Sequence, residues 1–298
     1  MTRATRLRTN AKTNLFLRVL GKRADGYHEI ETIFQTLSLG DTVALESTAG
    51  TAIEVDMHAE GAINSEFPPA ADNLVSTAAR KLIEAGGLSH GVRIEVVKRI
   101  PIGAGLGGGS GNAAGVLEAL NEMWGLGLDS GALADLALDI GADVPYCLTG
   151  GTALATGRGE KTTALPAPAT LWFVLGLSDK QLLTRDVYEE FETNRDSADL
   201  RSAPMSLALG MGDVTAIAAL LHNDLEPPAF RLRPELADLK RAMLEAGALG
   251  VVMSGSGPTM IGLARDQQQA LAIAGEAEGT FDGLVVSSSR PTCIERLD

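Results

Sequence analysis

Residues 101–114 read Pro-Ile-Gly-Ala-Gly-Leu-Gly-Gly-Gly-Ser-Gly-Asn-Ala-Ala, and the fold turns on what they do. Before them, residues 92–97 alternate apolar and polar side chains and predict a strand; after them, Ala113, Val116, Leu117, Leu120 and Trp124 keep helical spacing. The stretch is therefore a strand-to-helix turn, with the helix expected to open at Ser110. Five of the residues between 103 and 109 are glycine. Glycine reaches positive φ without strain and lets the backbone approach a ligand with its N–H groups turned inward. The helix start adds unpaired N–H groups and the positive end of a dipole. A turn that only packs needs one or two glycines, so this density predicts a phosphate cradle. Ser110 would offer its hydroxyl to a phosphate oxygen or to Mg²⁺, a role compatible with capping its helix.

Two better-known glycine motifs do not fit. Gly103, Gly105 and Gly108 satisfy G-x-G-x-x-G, with Asp129 about 20 residues on, but in a dinucleotide fold that acid should end a second strand. Here Asp129 lies between two helical segments, and Pro101 separates strand from glycines. No Gly-Lys-Ser/Thr closes the loop, so it is not a Walker A turn either.

Working outward, the chain of 298 residues is 45% hydrophobic and 21% charged, long enough for two domains that need neither disulfides nor a structural metal. Twenty-five basic against 38 acidic residues give a net charge of −13, which excludes a general affinity for nucleic acid or anionic membranes. The exception is local: from Arg3 to Arg23 there are seven basic residues and no acid, a field suited to a small polyanion. Cys147 and Cys293 are the only cysteines, with no CxxC, and the four histidines are scattered, so no thiolate zinc site is expected. With no visible signal segment, a cytoplasmic location is the expectation.

Residues 13–20, 28–38, 42–46 and 52–57 read as extended segments. Helices are predicted from Asp72-Asn73 to Gly86-Gly87 and from Asp129-Ser130 to Ile140, then a strand over 152–156. The proline-rich 165–168 is the linker, dividing the chain into units 1–164 and 165–298. Beyond it come strands at 171–175, 251–252, 260–264 and 284–287, with helices near 184–192, 206–221 and 234–246 and one between the last two strands. Strands in runs rather than strict alternation make the class α+β.

The loop resembles the ATP-binding motif of the GHMP kinases, the family of galactokinase, homoserine kinase and mevalonate kinase. Ala11-Lys-Thr-Asn-Leu-Phe-Leu17, Arg23-Ala-Asp-Gly-Tyr-His-Glu29, Gly141-Ala-Asp-Val-Pro145 and Met253-Ser-Gly-Ser-Gly-Pro258 are similar to further family segments, in the same order. They point to the branch whose alcohol is a cytidine-diphosphate-linked methylerythritol. The resemblance implies an N-terminal α/β domain like the second domain of ribosomal protein S5, a ferredoxin-like C-terminal domain and an active site between them. It also implies ATP with Mg²⁺ as cofactors and the small-molecule alcohol as partner. A family kinase of homoserine or mevalonate type, or a nucleotide-binding regulator without catalysis, remains the alternative; no oligomeric state is specified.

Position by position, the resemblance makes Asp143 the base for the hydroxyl proton and Lys12 its charge partner, bridging toward the γ-phosphate. The ATP contacts would be Pro101, Ile102, Gly103, Ala104, Gly105, Leu106, Gly107, Gly108, Gly109, Ser110 and Gly111, with Asn73 and Lys98 near the adenine and phosphates. Tyr27 and His28 would recognise the cytosine, Tyr188 would supply an opposing aromatic face, and Thr184 and Asn14 would touch the substrate. The turn 254–257 would face the phosphates, and Leu221-His-Asn-Asp-Leu-Glu-Pro227 is similar to a family segment of structural character.

Overall fold

The computed structural model describes residues 4–61, 67, 69, 73–167, 169–180, 182–194 and 200–297. Arg3, Asp72 and residue 168 of the proline-rich linker, named above, lie outside them. The chain opens with a long antiparallel hairpin, β1 (Ala4–Lys22) and β2 (His28–Thr48), followed by β3 (Ile53–Ala59). The two segments read at 28–38 and 42–46 are thus one strand. Its halves serve different partners: 42–48 pairs with β4 (Gly91–Lys98), while 30–35 pairs with β5 (Thr152–Gly157), which in turn carries β6 (Lys161–Ala164).

Helices cover one face of this sheet. α1 (Leu74–Gly86) starts where the Asn73 side chain accepts from Val75 N–H, and stops at left-handed Gly87, as the sequence predicts. α2 (Gly108–Trp124) begins two residues before the expected Ser110, because Gly107, at φ +67°, takes the N-cap position. α3 (Ser130–Ile140) is capped by Asp129, and a short α4 (Val144–Thr149) follows Asp143. Leu7, Val43, Leu82, Ile94, Val116, Leu120 and Tyr146 form the buried core between helices and sheet.

After 165–171 the chain enters a second sheet. In chain order come β7 (Trp172–Leu177), α5 (Thr184–Thr193), α6 (Ala203–Met211), α7 (Val214–Leu220), β8 (His222–Asn223), α8 (Glu226–Leu232) and α9 (Glu235–Glu245) before β9 (Gly250–Met253) and β10 (Met260–Ala264). α10 (Gln267–Glu276), β11 (Gly283–Ser288) and β12 (Ile294–Arg296) complete the chain. The sheet order β11-β7-β10-β9 is the fourth-first-third-second arrangement of a ferredoxin-like βαββαβ unit, all antiparallel. The helix expected over 206–221 divides at left-handed Gly212, and Asp213 caps its second half.

Two strands cross between the sheets. β8 runs parallel to β1, and β12, which follows the last strand read from the sequence, pairs with β1 as well. We therefore keep 164/165 as a proposed division, with β12 assigned to the first sheet. Among the described residues no helix is long and apolar enough to cross a membrane.

Candidate active site

The β1–β2 ladder is interrupted between Asn10 and Lys12, where the partner moves from Gly40 to Thr36. The glycine loop docks in this gap: Lys12 N–H donates to Leu106 O at 2.9 Å. The loop then passes so close to Lys12 that a Cβ at Gly107 would lie 2.7 Å from Lys12 Cγ. The lysine stem runs beneath the loop and its ammonium emerges in a cleft of about 900 Å³, lined by both halves of the chain.

There Lys12 Nζ lies 3.2 Å from Asp143 Oδ2, donates to Asn14 Oδ1 at 3.1 Å and sits 5.2 Å from the Phe34 ring centre. Lys12 is 5% exposed and Asp143 32%. Asn14 is held in turn, its Nδ2 donating to Thr32 Oγ1 at 2.8 Å. Asp143 occupies the N-cap position of α4 but its side chain makes no capping bond, leaving the carboxylate free for the cleft. In such a pair the buried ammonium can stabilise negative charge, and the half-open carboxylate can accept a proton.

Gly105, Gly107 and Ser110 line the same cleft. The first amides of α2 have no intrahelical acceptor, so they are free to meet an anion. Ser110 lies inside the first helical turn rather than at the cap. The turn 254–257 touches the loop directly, with Ser254 Oγ donating to Gly105 O at 2.9 Å and a Cβ at Gly105 lying 2.2 Å from Ser254 O, while Gly255 and Ser256 line the cleft. Asn223 fixes that turn by donating to Met253 O and Gly255 O at 2.8 and 2.7 Å, which gives the 221–227 segment its structural role.

At the far end His28 stacks on Tyr188, ring centres 4.5 Å apart, and His28 Nε2 lies 3.1 Å from Glu192 Oε1. Desolvation pushes the Tyr188 hydroxyl well above its ordinary range, with the Asp143 carboxylate adding to the effect. Tyr27 is 54% exposed, and the Arg158 guanidinium covers its ring at 4.5 Å. Thr184 shares a hydrogen bond with Ser256 at 2.9 Å.

The cleft thus gathers Lys12, Asn14, Tyr27, His28, Gly105, Gly107, Ser110, Asp143, Thr184 and Tyr188 from the sequence expectation. It does not gather the side chains of Asn73 and Lys98. Asn73 caps α1, and Lys98 is buried in an ion pair with Asp41. Gly111 faces β1, where a Cβ would lie 3.3 Å from Asn10 O, and the remaining loop residues form its turn and underside. Most of the basic run lies on β1, and its charges do not converge on one place. Lys12 and Lys22 reach the cleft, whereas Arg23 pairs with Asp25 and Glu29. Arg158, Arg185 and Glu192 also line the cleft, and no motif in the sequence marks them. Among the described residues no cluster of three His, Cys, Asp or Glu side chains could hold a metal.

Residues 73–151 match the GHMP kinase N-terminal domain and residues 205–282 the GHMP kinase C-terminal domain. Fold and cleft together define a kinase of the GHMP class. Over 277 residues the chain is 43% identical to a 4-diphosphocytidyl-2-C-methyl-D-erythritol kinase of Pelotomaculum thermopropionicum, covering 93% of this chain and 95% of that one. A crystal structure of 4-(cytidine 5'-diphospho)-2C-methyl-D-erythritol kinase matches with a TM-score of 0.78 at 36% identity, over 97% of this chain and 99% of that one. Homoserine kinase from Cytophaga hutchinsonii, at TM-score 0.77 and 23% identity over 99% of this chain and 97% of that one, shares the fold. The chain belongs to the 4-diphosphocytidyl-2-C-methyl-D-erythritol kinase family.

Proposed function

We infer that this chain transfers the γ-phosphoryl group of ATP to the 2-hydroxyl of 4-diphosphocytidyl-2-C-methyl-D-erythritol, giving ADP and the 2-phosphate in the non-mevalonate route to isoprenoid precursors. The observation that carries the reading is the 3.2 Å Lys12–Asp143 pair, held in one cleft with the glycine loop. The substrate assignment follows the relatives at 43% and 36% identity.

The hydroxyl proton passes to Asp143 as the hydroxyl oxygen bonds to phosphorus and the bond from the γ-phosphorus to the bridging oxygen of ADP breaks. A carboxylate is a weak base, but the loose phosphoryl-transfer transition state depends mainly on positioning and charge stabilisation. Lys12 supplies the positive charge, and the amides at the start of α2 supply oriented dipoles. Tyr27, His28, Tyr188 and Glu192 provide stacking faces and edge hydrogen bonds for an amino-bearing pyrimidine, while Lys22, Arg158 and Arg185 offset the charge of the substrate diphosphate. Mg²⁺ fits this site as an ion carried by the nucleotide, with Ser110 within the cleft to meet it and water completing its shell. It would neutralise phosphate charge. Two free, buried thiols suit a reducing compartment such as the cytoplasm.

Incubation with the cytidyl substrate and ATP, followed by ³¹P NMR and an ADP assay, is the test. A new 2-phosphate matched by ADP is expected; no turnover above background refutes the assignment.

A further inference from the structure

Lys98, which sequence resemblance places on the nucleotide, belongs to a sealed network under the loop. Lys98, Asp41 and Asn112 are 3%, 0% and 2% exposed. Asp41 Oδ1 accepts from Arg99 N–H at 2.7 Å and Ile100 N–H at 2.9 Å, the two residues that lead into Pro101. Asp41 Oδ2 accepts from Lys98 Nζ and, at 3.0 Å, from Asn112 Nδ2 on the helix that leads out of the loop. Asn112 Oδ1 accepts from Lys98 at 3.0 Å, and Asn112 Nδ2 also donates to Thr9 Oγ1 at 2.7 Å. One carboxylate of β2 therefore ties down both feet of the glycine loop. A Cβ at Gly108 would lie 3.0 Å from Lys98 Nζ, so the ammonium sits directly beneath the first helical residue.

We propose that Asp41 is a positioning residue for nucleotide binding, and that Lys98 acts by cancelling its charge rather than by gripping phosphate. An aspartate under an anion cradle repels the ligand unless it is neutralised; neutralised, it fixes the amides in place before the phosphates arrive. The inference rests on the reading of the loop as the ATP cradle.

ADP affinity by isothermal titration, with separate KM values for ATP and the cytidyl substrate, tests it in three variants. Lys98→Met strands the carboxylate and should weaken ADP binding by at least about tenfold. Asp41→Asn/Lys98→Met keeps an oxygen for the Arg99 and Ile100 amides without the charge, and should recover to within about threefold of the parent. The KM for the cytidyl substrate should move less than about twofold in both. A double variant no better than Lys98→Met would mean that the ammonium itself holds the nucleotide, and a parallel rise in both KM values would mean general destabilisation; either overturns the proposal. Should Lys98→Met fail to fold, Asn112→Ser cuts only the outgoing foot and should raise the ATP KM about three- to tenfold, with a parent-like value counting against us. A parent that binds no ADP removes the cradle and this inference with it. Parent binding with unmoved variants removes this inference alone.

Discussion

Two lysine–aspartate pairs flank the glycine loop, and their chemistry is the same while their surroundings are opposite. Lys12–Asp143 opens into the cleft, with its carboxylate 32% exposed; Lys98–Asp41 is sealed beneath the loop at 4% and 0% side-chain exposure. The open pair can exchange a proton with a bound alcohol and meet incoming phosphate. The sealed pair has every identified partner inside the protein, so its energy goes into shaping the loop. What separates the two pairs is the exposure of the carboxylate, not the residue types.

The sharpest way to break this comparison is at Asp143. Asp143→Asn should lower kcat by about 10²–10⁴ while ADP affinity stays within about twofold, since in the proposed mechanism the carboxylate takes the proton and does not hold the nucleotide. Unchanged turnover would remove Asp143 from its role. Stability gives the mirror image. Lys98→Met should destabilise the fold by about 3–5 kcal/mol in urea unfolding, since it leaves a buried charge unpaired. Lys12→Met should cost about 1 kcal/mol or less, because water still reaches Asp143. Equal losses would mean that the two environments are not distinct.

The loop offers a finer test. Gly103 and Gly105 both hold positive φ, at +72° and +75°, but only Gly105 faces a collision, with Ser254 O. Gly105→Ala should reduce kcat/KM for ATP by at least about tenfold, whereas Gly103→Ala, with nothing within 4 Å of its new Cβ, should cost about 1–2 kcal/mol of local strain and less activity. At the substrate end, Tyr188→Leu should raise the KM of the cytidyl substrate about tenfold and leave that of ATP near its parent value. The smallest effect concerns pH. Because burial holds the Tyr188 hydroxyl well above its ordinary range, the tyrosine stays neutral, and no Tyr188 ionisation should enter the pH–rate profile below about pH 10. A limb near neutral pH that vanishes in Tyr188→Phe would contradict that reading.

Much of this architecture was legible in the sequence because it depends on local rules. Asn73 and Asp129 announce their helices, Gly87 and Gly125 end theirs, and glycine density marks the loop. Short apolar runs separated by helical segments marked the strands and helices of the second half, whereas its ferredoxin-like arrangement was implied only by the family resemblance. What escaped depends on distance in the chain. Leu106 fills the break in β1–β2 pairing from nearly a hundred residues away, and β12 returns to β1 from the far end of the chain. The partner of Lys98 was hidden for the same reason: Asp41, 57 residues away in the chain, is brought against it only by the fold. Arg158 and Glu192 reach the cleft from β5–β6 and α5, and neither lies in a patterned motif. Helix α2 begins at Gly108 because a left-handed glycine, not a hydroxyl, ends the loop.

The central claim is that main-chain amides around residues 105–110 hold the triphosphate so that its terminal group faces Lys12 and Asp143. The most direct measurement is a crystal structure with a non-hydrolysable ATP analogue and the cytidyl alcohol. The account predicts phosphate oxygens at about 3 Å from the amides of 107–110, with the γ-phosphoryl group beside Lys12 Nζ and the acceptor hydroxyl on Asp143. Phosphates bound elsewhere, with the loop amides turned to the protein interior, would contradict it.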